Sequence, residues 1–317
     1  MHRPLPRNLD GAVRLRRELI NDGYTDVQLR LLVRSCVLHR IRRGAYVSGE
    51  LWRCCSLEDR HRLTARAVLK SGHPLMALTH VSNAVERGLP VWNIPLDEVH
   101  TTRTDGKGAR REAGVVHHVG ILHEQDVEVV NGVRVSAMAR CAVEVSSIAT
   151  LEPTLVVVNA MLHLGLLDEA ALAAAIADLK TWPATISNHL LLHLVDKRMS
   201  SVAETRTDFM FHVQRLPRPE PQVEVYDEGG TLLGIVDFLW REFGVFLEFD
   251  GKIKYEKLRR AGETLDEYLM REKRREERIC LATGWVCIRI TWSDLEQPVA
   301  TAHRIRRLLE SRKSVRA

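Results

Sequence analysis

A chain of 317 residues with 45% hydrophobic side chains has room for two or three buried cores, and no apolar run approaches the ~18 residues of a membrane span. Its six cysteines (Cys36, Cys54, Cys55, Cys141, Cys280 and Cys287) show no C-x-x-C spacing, and the N-terminus has no apolar signal core. This argues against a zinc site or a disulfide framework and for a reducing cytoplasm. The net charge of +5 conceals two basic ends: residues 1–50 carry 10 Lys/Arg against 5 Asp/Glu, and residues 252–317 carry 17 against 10. Residues 196–251 reverse the balance, 6 against 11, which pairs a polyanion-binding composition with a local cation-binding one.

Residues 1–52 predict a winged helix-turn-helix. Leu9, Val13, Leu15, Leu19 and Ile20 have helical spacing, so a helix is expected over 9–22, closed by Gly23. Thr25 is a good N-cap for a second helix over 26–35, with Val27, Leu31 and Leu32 on its apolar side. Basic and apolar residues then alternate through Leu38-His39-Arg40-Ile41-Arg42-Arg43-Gly44-Ala45-Tyr46-Val47, a hairpin with a glycine turn. A helix for the major groove beside a basic hairpin for the backbone marks Gln28, Arg30, Arg34, Arg40, Arg42 and Arg43 as candidate DNA contacts.

Residues 53–198 read as a mixed α/β region. Helices are expected at 57–71, 79–87, 136–149, 152–164, 168–180 and 185–198, and strands at 97–103, 114–119 and 127–135. Asn131-Gly132 is a strong hairpin turn within the last of these. Histidines gather at His117, His118 and His123, and His189 and His193 have i, i+4 spacing, but no third ligand stands near them in sequence. No chemistry is assigned to this region from sequence.

Residues 199–317 change character. Ser200 or Ser201 caps a helix containing Glu204 and stopping before Pro217. Strands follow at 222–226, 234–240 and 245–255, joined by Asp227-Glu228-Gly229-Gly230 and Arg241-Glu242-Phe243-Gly244 turns. A charged helix within 262–283, a strand at 285–291 and a helix from about 298 to 311 complete the order. The fold class expected is α/β (α+β overall), ending in an α/β sandwich with a mixed sheet. Strand alternation puts Glu248 and Asp250 on one face, and the hairpin brings Asp237 close to both. Three carboxylates converging on an apolar sheet are costly unless a cation or a lysine compensates, and that cost points to a metal site.

The order of these elements, with Val236-Asp237-Phe238 and Glu248-Phe249-Asp250-Gly251-Lys252-Ile253-Lys254-Tyr255 on adjacent strands, resembles the PD-(D/E)XK nuclease core. It is closest to the very-short-patch-repair-like branch, which the Glu272-Lys273-Arg274-Arg275-Glu276 helix and Gly284-Trp285-Val286-Cys287-Ile288-Arg289 strand also fit. At the other end, Thr25-Asp26-Val27-Gln28-Leu29 and the basic hairpin resemble the winged helix of AbiEi-family antitoxins. Ala77-Leu78-Thr79-His80-Val81-Ser82-Asn83-Ala84 and Gly88-Leu89-Pro90 resemble the antitoxin region that follows it. Actinobacterial-type proteins fusing both parts are the nearest match overall.

The nuclease resemblance implies a restriction-endonuclease-like fold over 199–317, with Asp237 and Glu248 holding Mg2+ (or Mn2+) and Asp250 completing the shell. Lys254, placed where the family has its basic residue, or Lys252 then orients water or steadies charge on the phosphate, and Glu204 is an outer ligand or orients a metal-bound water. One departure stands out: many nucleases of the wider superfamily carry lysine where this chain has Asp250. The first reading is therefore a metal-dependent endonuclease acting on double-stranded DNA, with a homodimer in view. The second is an antitoxin or transcriptional repressor with an inactive nuclease-like domain and a cognate toxin. An RNA-processing nuclease is a third.

Overall fold

The computed structural model describes residues 9, 11–107, 110–178, 185–251 and 262–316. The architecture is α+β, in two compact units, Met1–Val195 and Asp196–Ala317, so the N-terminal segment and most of the middle region lie in one unit.

The first unit begins with β1 (Arg14–Leu15), α1 (Arg16–Asn21), α2 (Asp26–Arg34), β2 (Leu38–Arg42) and β3 (Ala45–Ser48), the strands forming a sheet of order β1-β3-β2. The helix expected over 9–22 is confined to Arg16–Asn21. Gly11 has a left-handed φ of 76°, and Arg14–Leu15 instead pairs with Ala45–Tyr46. Glu18 then accepts from the Leu15 amide at 2.9 Å, which starts the helix there. In α2, Thr25 and Gln28 form a capping box. The apolar side of α2 differs from expectation: Leu29 is buried, whereas Val27 and Leu31 are each 56% exposed. Packing of Leu29 turns Val27 and Leu31 outward, onto the surface that also carries Arg30 and Arg34.

The rest of this unit comprises α3 (Gly49–Cys54), α4 (Leu57–Ser71), β4 (Met76–Leu78), α5 (His80–Glu86), β5 (Val99–Arg103), β6 (Arg110–Glu112), β7 (Val115–His118), β8 (Val127–Val130), β9 (Val133–Ser136), α6 (Met138–Ser146), α7 (Leu151–His163), α8 (Glu169–Asp178) and α9 (Thr185–Leu194). Six strands form a mixed sheet of order β6-β7-β5-β4-β9-β8. Asn131 and Gly132 both have positive φ, 49° and 75°, giving the tight turn between β8 and β9. The short strands β4 and β6 carry too few residues for a periodic signal and were not expected from sequence.

The second unit runs α10 (Val202–Val213), β10 (Glu220–Tyr226), β11 (Leu232–Trp240), β12 (Val245–Phe249), α11 (Leu265–Thr283), β13 (Val286–Ile290), α12 (Trp292–Leu295) and α13 (Pro298–Arg316). Its sheet has order β10-β11-β12-β13, antiparallel except for the parallel β12–β13 pair, which the segment containing α11 connects. Both faces are buried. Phe238, Trp240, Val245, Leu247 and Phe249 pack with Met210 and Phe211 of α10 and with Ile305 and Leu309 of α13. Leu239 and Phe246 pack with Ile279 of α11. The continuous apolar run through β12 follows from that double burial. Thr264 caps α11 with Glu267, and Gly284 ends it at a left-handed φ of 67°.

On α10, burial pushes the Asp208 carboxyl up to about 6, against a partial offset from Arg218. A carboxyl raised on folding contributes stability below its unfolded value, and that contribution is lost as pH rises through the folded one. Wild type should therefore lose at most roughly 3 kcal/mol between pH 4 and 6 from this group, and Asp208→Asn should flatten that decline in urea titrations.

Candidate functional site

Strand pairing assembles the site. Phe238 pairs with Leu247 across β11 and β12, which sets Asp237 beside Glu248, and the Phe249 amide donates to Oδ2 of Asp237 at 2.8 Å. Glu248 in turn is opposite Arg289 on β13, and the Asp250 amide donates to the Ile290 carbonyl at 2.7 Å. Asp237, Glu248 and Asp250 thereby line one cleft of about 470 Å3, closed on its other side by Tyr268, Leu269, Glu272, Lys273, Arg275 and Glu276 of α11. Asp237 and Glu248 are both buried.

The carboxylates are held by a cationic network that sequence reasoning missed. Nη2 of Arg275 donates to both oxygens of Glu248, at 2.9 and 2.7 Å. The same guanidinium reaches Glu272 at 3.1 Å and the Ile235 carbonyl at 3.2 Å. Gly234 makes room for it: a Cβ there would stand 3.1 Å from Arg275 Cδ. Burial raises the Glu248 carboxyl above its ordinary range, Arg275 opposes the rise, and the charge of Asp237 adds to it. Arg289 pairs with Glu276 at 2.6 Å and approaches Asp250 at 3.4 Å. Gln222 of β10, at a left-handed φ of 53°, extends Nε2 to within 3.4 Å of Asp237 Oδ1. The signal for Arg275 was present: Tyr268, Glu272, Arg275 and Ile279 follow a 4-3-4 spacing that marks one helix face. The dense charge of 271–278 masked it, because such a run reads as solvated.

Glu204 is placed differently from the other candidates. It is buried at the start of α10, where it accepts from the Ser200 amide at 2.8 Å and the Ser201 hydroxyl at 2.8 Å. Burial and then the charge of Asp237 raise its carboxyl, so it is electrostatically coupled to the site, yet it is not among the described residues lining the cleft. Lys252 and Lys254 lie outside the described residues.

Carboxylate oxygens are the ligands a hard divalent cation takes, but those of Asp237, Glu248 and Asp250 do not form a three-residue ligand group as they stand among the described residues. Three carboxylates offer oxygen ligands at one wall, and Glu248, buried beside a second carboxylate, already requires a positive partner, which Arg275 supplies. Glu248 and Asp250 therefore each meet an arginine as well as the cleft.

The candidate DNA contacts fall in the first unit. Arg30, Arg34, Arg40 and Arg43 are exposed. Arg42 pairs with Glu112 at 3.2 Å, and the Gln28 side chain accepts from the Thr25 amide at 2.8 Å, so both are committed to contacts within the fold. His189 and His193 are not part of a three-residue ligand group among the described residues, and His117 hydrogen bonds with Thr101 at 2.9 Å instead. Among the described residues, no helix is long and apolar enough to cross a membrane. No model of a known protein family matches the chain, and no curated protein matches it either.

Proposed function

We propose that this chain is a metal-dependent endonuclease acting on double-stranded DNA, delivered to it by the N-terminal winged helix. The observation that carries this reading is the convergence of Asp237, Glu248 and Asp250 in one cleft whose described wall also bears Lys273, Arg275 and Arg289. Carboxylate oxygens suit Mg2+ or Mn2+, and a bound divalent ion would relieve Arg275 and Arg289 of their pairs with Glu248 and Asp250 and leave them to a phosphodiester. The order of the second unit (helix, three-stranded antiparallel meander, helix, parallel strand) supports the PD-(D/E)XK resemblance. In this reading Asp237 and Glu248 hold the ion and Asp250 completes its shell. Held by these carboxylates, a divalent ion would supply Lewis-acid polarisation of the phosphate and a more acidic water. Glu204 stiffens the start of α10 behind Asp237, and the protein works in the cytoplasm. The test is nicking of supercoiled plasmid by purified protein with Mg2+ or Mn2+, checked against EDTA. Absence of nicking under both metals would sink the reading.

A second reading, a repressor or antitoxin with an inactive nuclease-like unit, is favoured by the two ion pairs Arg275–Glu248 and Arg289–Asp250, which satisfy carboxylates without an ion. It predicts a shift of the chain's own promoter fragment and no cutting; a cognate toxin partner belongs to it.

Both readings use the winged helix. Alanine at Arg30, Arg34, Arg40 or Arg43 should weaken duplex binding and lower the salt slope by about 1 for each phosphate no longer neutralised, measured by fluorescence anisotropy across a salt series. Gln28→Ala should act differently, costing about 1 kcal/mol of helix capping.

A further inference from the structure

A second cluster lies in the first unit, far in chemistry from the carboxylate cleft. His80 opens α5, His100 sits on β5 and His118 ends β7, and one ring nitrogen from each falls within 4.8 Å of the others. Nδ1 of His100 and Nε2 of His118 are 2.8 Å apart, and the His80 and His118 rings stack at 3.6 Å. Three separate elements therefore deliver imidazoles to one point. The i, i+4 pair His189 and His193, singled out by sequence, does not.

The surroundings are built around these rings. His80 has a left-handed φ of 54°, a conformation uncommon outside glycine and worth explaining at a buried position. Its amide donates to Glu144 at 3.0 Å, and Glu144, fully buried, also takes the Ser136 hydroxyl at 2.6 Å and Arg140 Nε at 2.8 Å. Nδ1 of His80 meets the Thr79 hydroxyl at 3.0 Å, the kind of outer contact that sets the tautomer and aim of a ligating imidazole. The His100 amide donates to Ser82 Oγ at 2.8 Å, and that hydroxyl also meets His61.

We propose that His80, His100 and His118 form a binding site for one divalent transition metal of the zinc class. A nitrogen-only donor set selects Zn2+, Co2+, Ni2+ or Cu2+ over Mg2+ or Ca2+. Ligand nitrogens around tetrahedral Zn2+ stand about 3.3 Å apart, given bonds of about 2.0 Å, so loading opens the His100–His118 hydrogen bond and turns the stacked rings. Three nitrogens leave a tetrahedral ion one position for water or an outside ligand. The proposal is independent of the endonuclease reading.

The test uses the full chain, stripped with EDTA and titrated with Co2+. One Co2+ per chain should give the visible absorption of a tetrahedral site, displaced by Zn2+ and unchanged in Glu248→Gln. His100→Gln and His118→Gln should each weaken binding by more than about 100-fold, with circular dichroism unaltered. No tetrahedral band in wild type, or a band that survives both substitutions, overturns the proposal. If a variant fails to fold, X-ray absorption of the Zn2+-loaded wild type decides: three imidazole shells support the site, and an oxygen-dominated shell refutes it.

Discussion

Asp237→Asn and Glu248→Gln should each slow Mg2+-dependent plasmid nicking by about 1000-fold or more, equivalent to roughly 4 kcal/mol of barrier. These isosteric changes remove charge and keep shape. Asparagine at 237 retains an oxygen for the Phe249 amide, which now donates to Asp237 at 2.8 Å, so the strand pairing survives. Glutamine at 248 leaves Arg275 with Glu272 and the Ile235 carbonyl as partners. A loss of nicking with intact folding therefore reports the loss of hard anionic ligands. Asp250→Asn should cost less, because Asp250 already leans toward Arg289 at 3.4 Å. Nicking that persists in both the Asp237 and the Glu248 variants would place the chemistry elsewhere.

Arg275→Met should destabilise the second unit by about 3 kcal/mol in EDTA, and Mg2+ should recover much of that loss. Removing the guanidinium leaves the buried Glu248 carboxylate beside Asp237 without its nearest counter-charge. The sign with pH follows from burial. Glu248 is raised in the folded state, so its protonated form is the one favoured by folding, and the deficit should shrink as pH falls and grow as it rises. Pairing Arg275→Met with Glu248→Gln should restore stability, since both halves of the ion pair are then gone. The measurement is the denaturant midpoint in EDTA and in Mg2+. If Mg2+ stabilises wild type and Arg275→Met equally, the ion and the arginine do not share Glu248.

Much of the second unit was legible because its signals are local. The apolar runs of 234–240 and 245–249, the turn between them and the glycine closing the charged helix each depend on neighbours within a few residues. That was enough to bring Asp237, Glu248 and Asp250 to one cleft. At the other end, local reasoning failed where tertiary pairing competed. Arg14–Leu15 left a helical pattern to pair with Ala45–Tyr46, and Leu29, rather than Val27 and Leu31, became the buried side of α2. Intrinsic helix preference is weak beside a strand partner and a core to fill.

The sequence by itself determined the type of most long elements, the hairpins at Asn131-Gly132 and Gly44, and the convergence of three acids on one sheet. These follow from periodicity and turn chemistry, which are properties of short windows. Only the tertiary structure decided which charges meet. Arg275 stands 27 residues after Glu248 and reaches it because α11 packs across the sheet. His80, His100 and His118 converge because β5 and β7 pair in parallel while α5 begins beside them. Contacts of that kind are set by packing between distant segments: spacing along the chain marks the helix face that carries Arg275, but not the carboxylate that it meets.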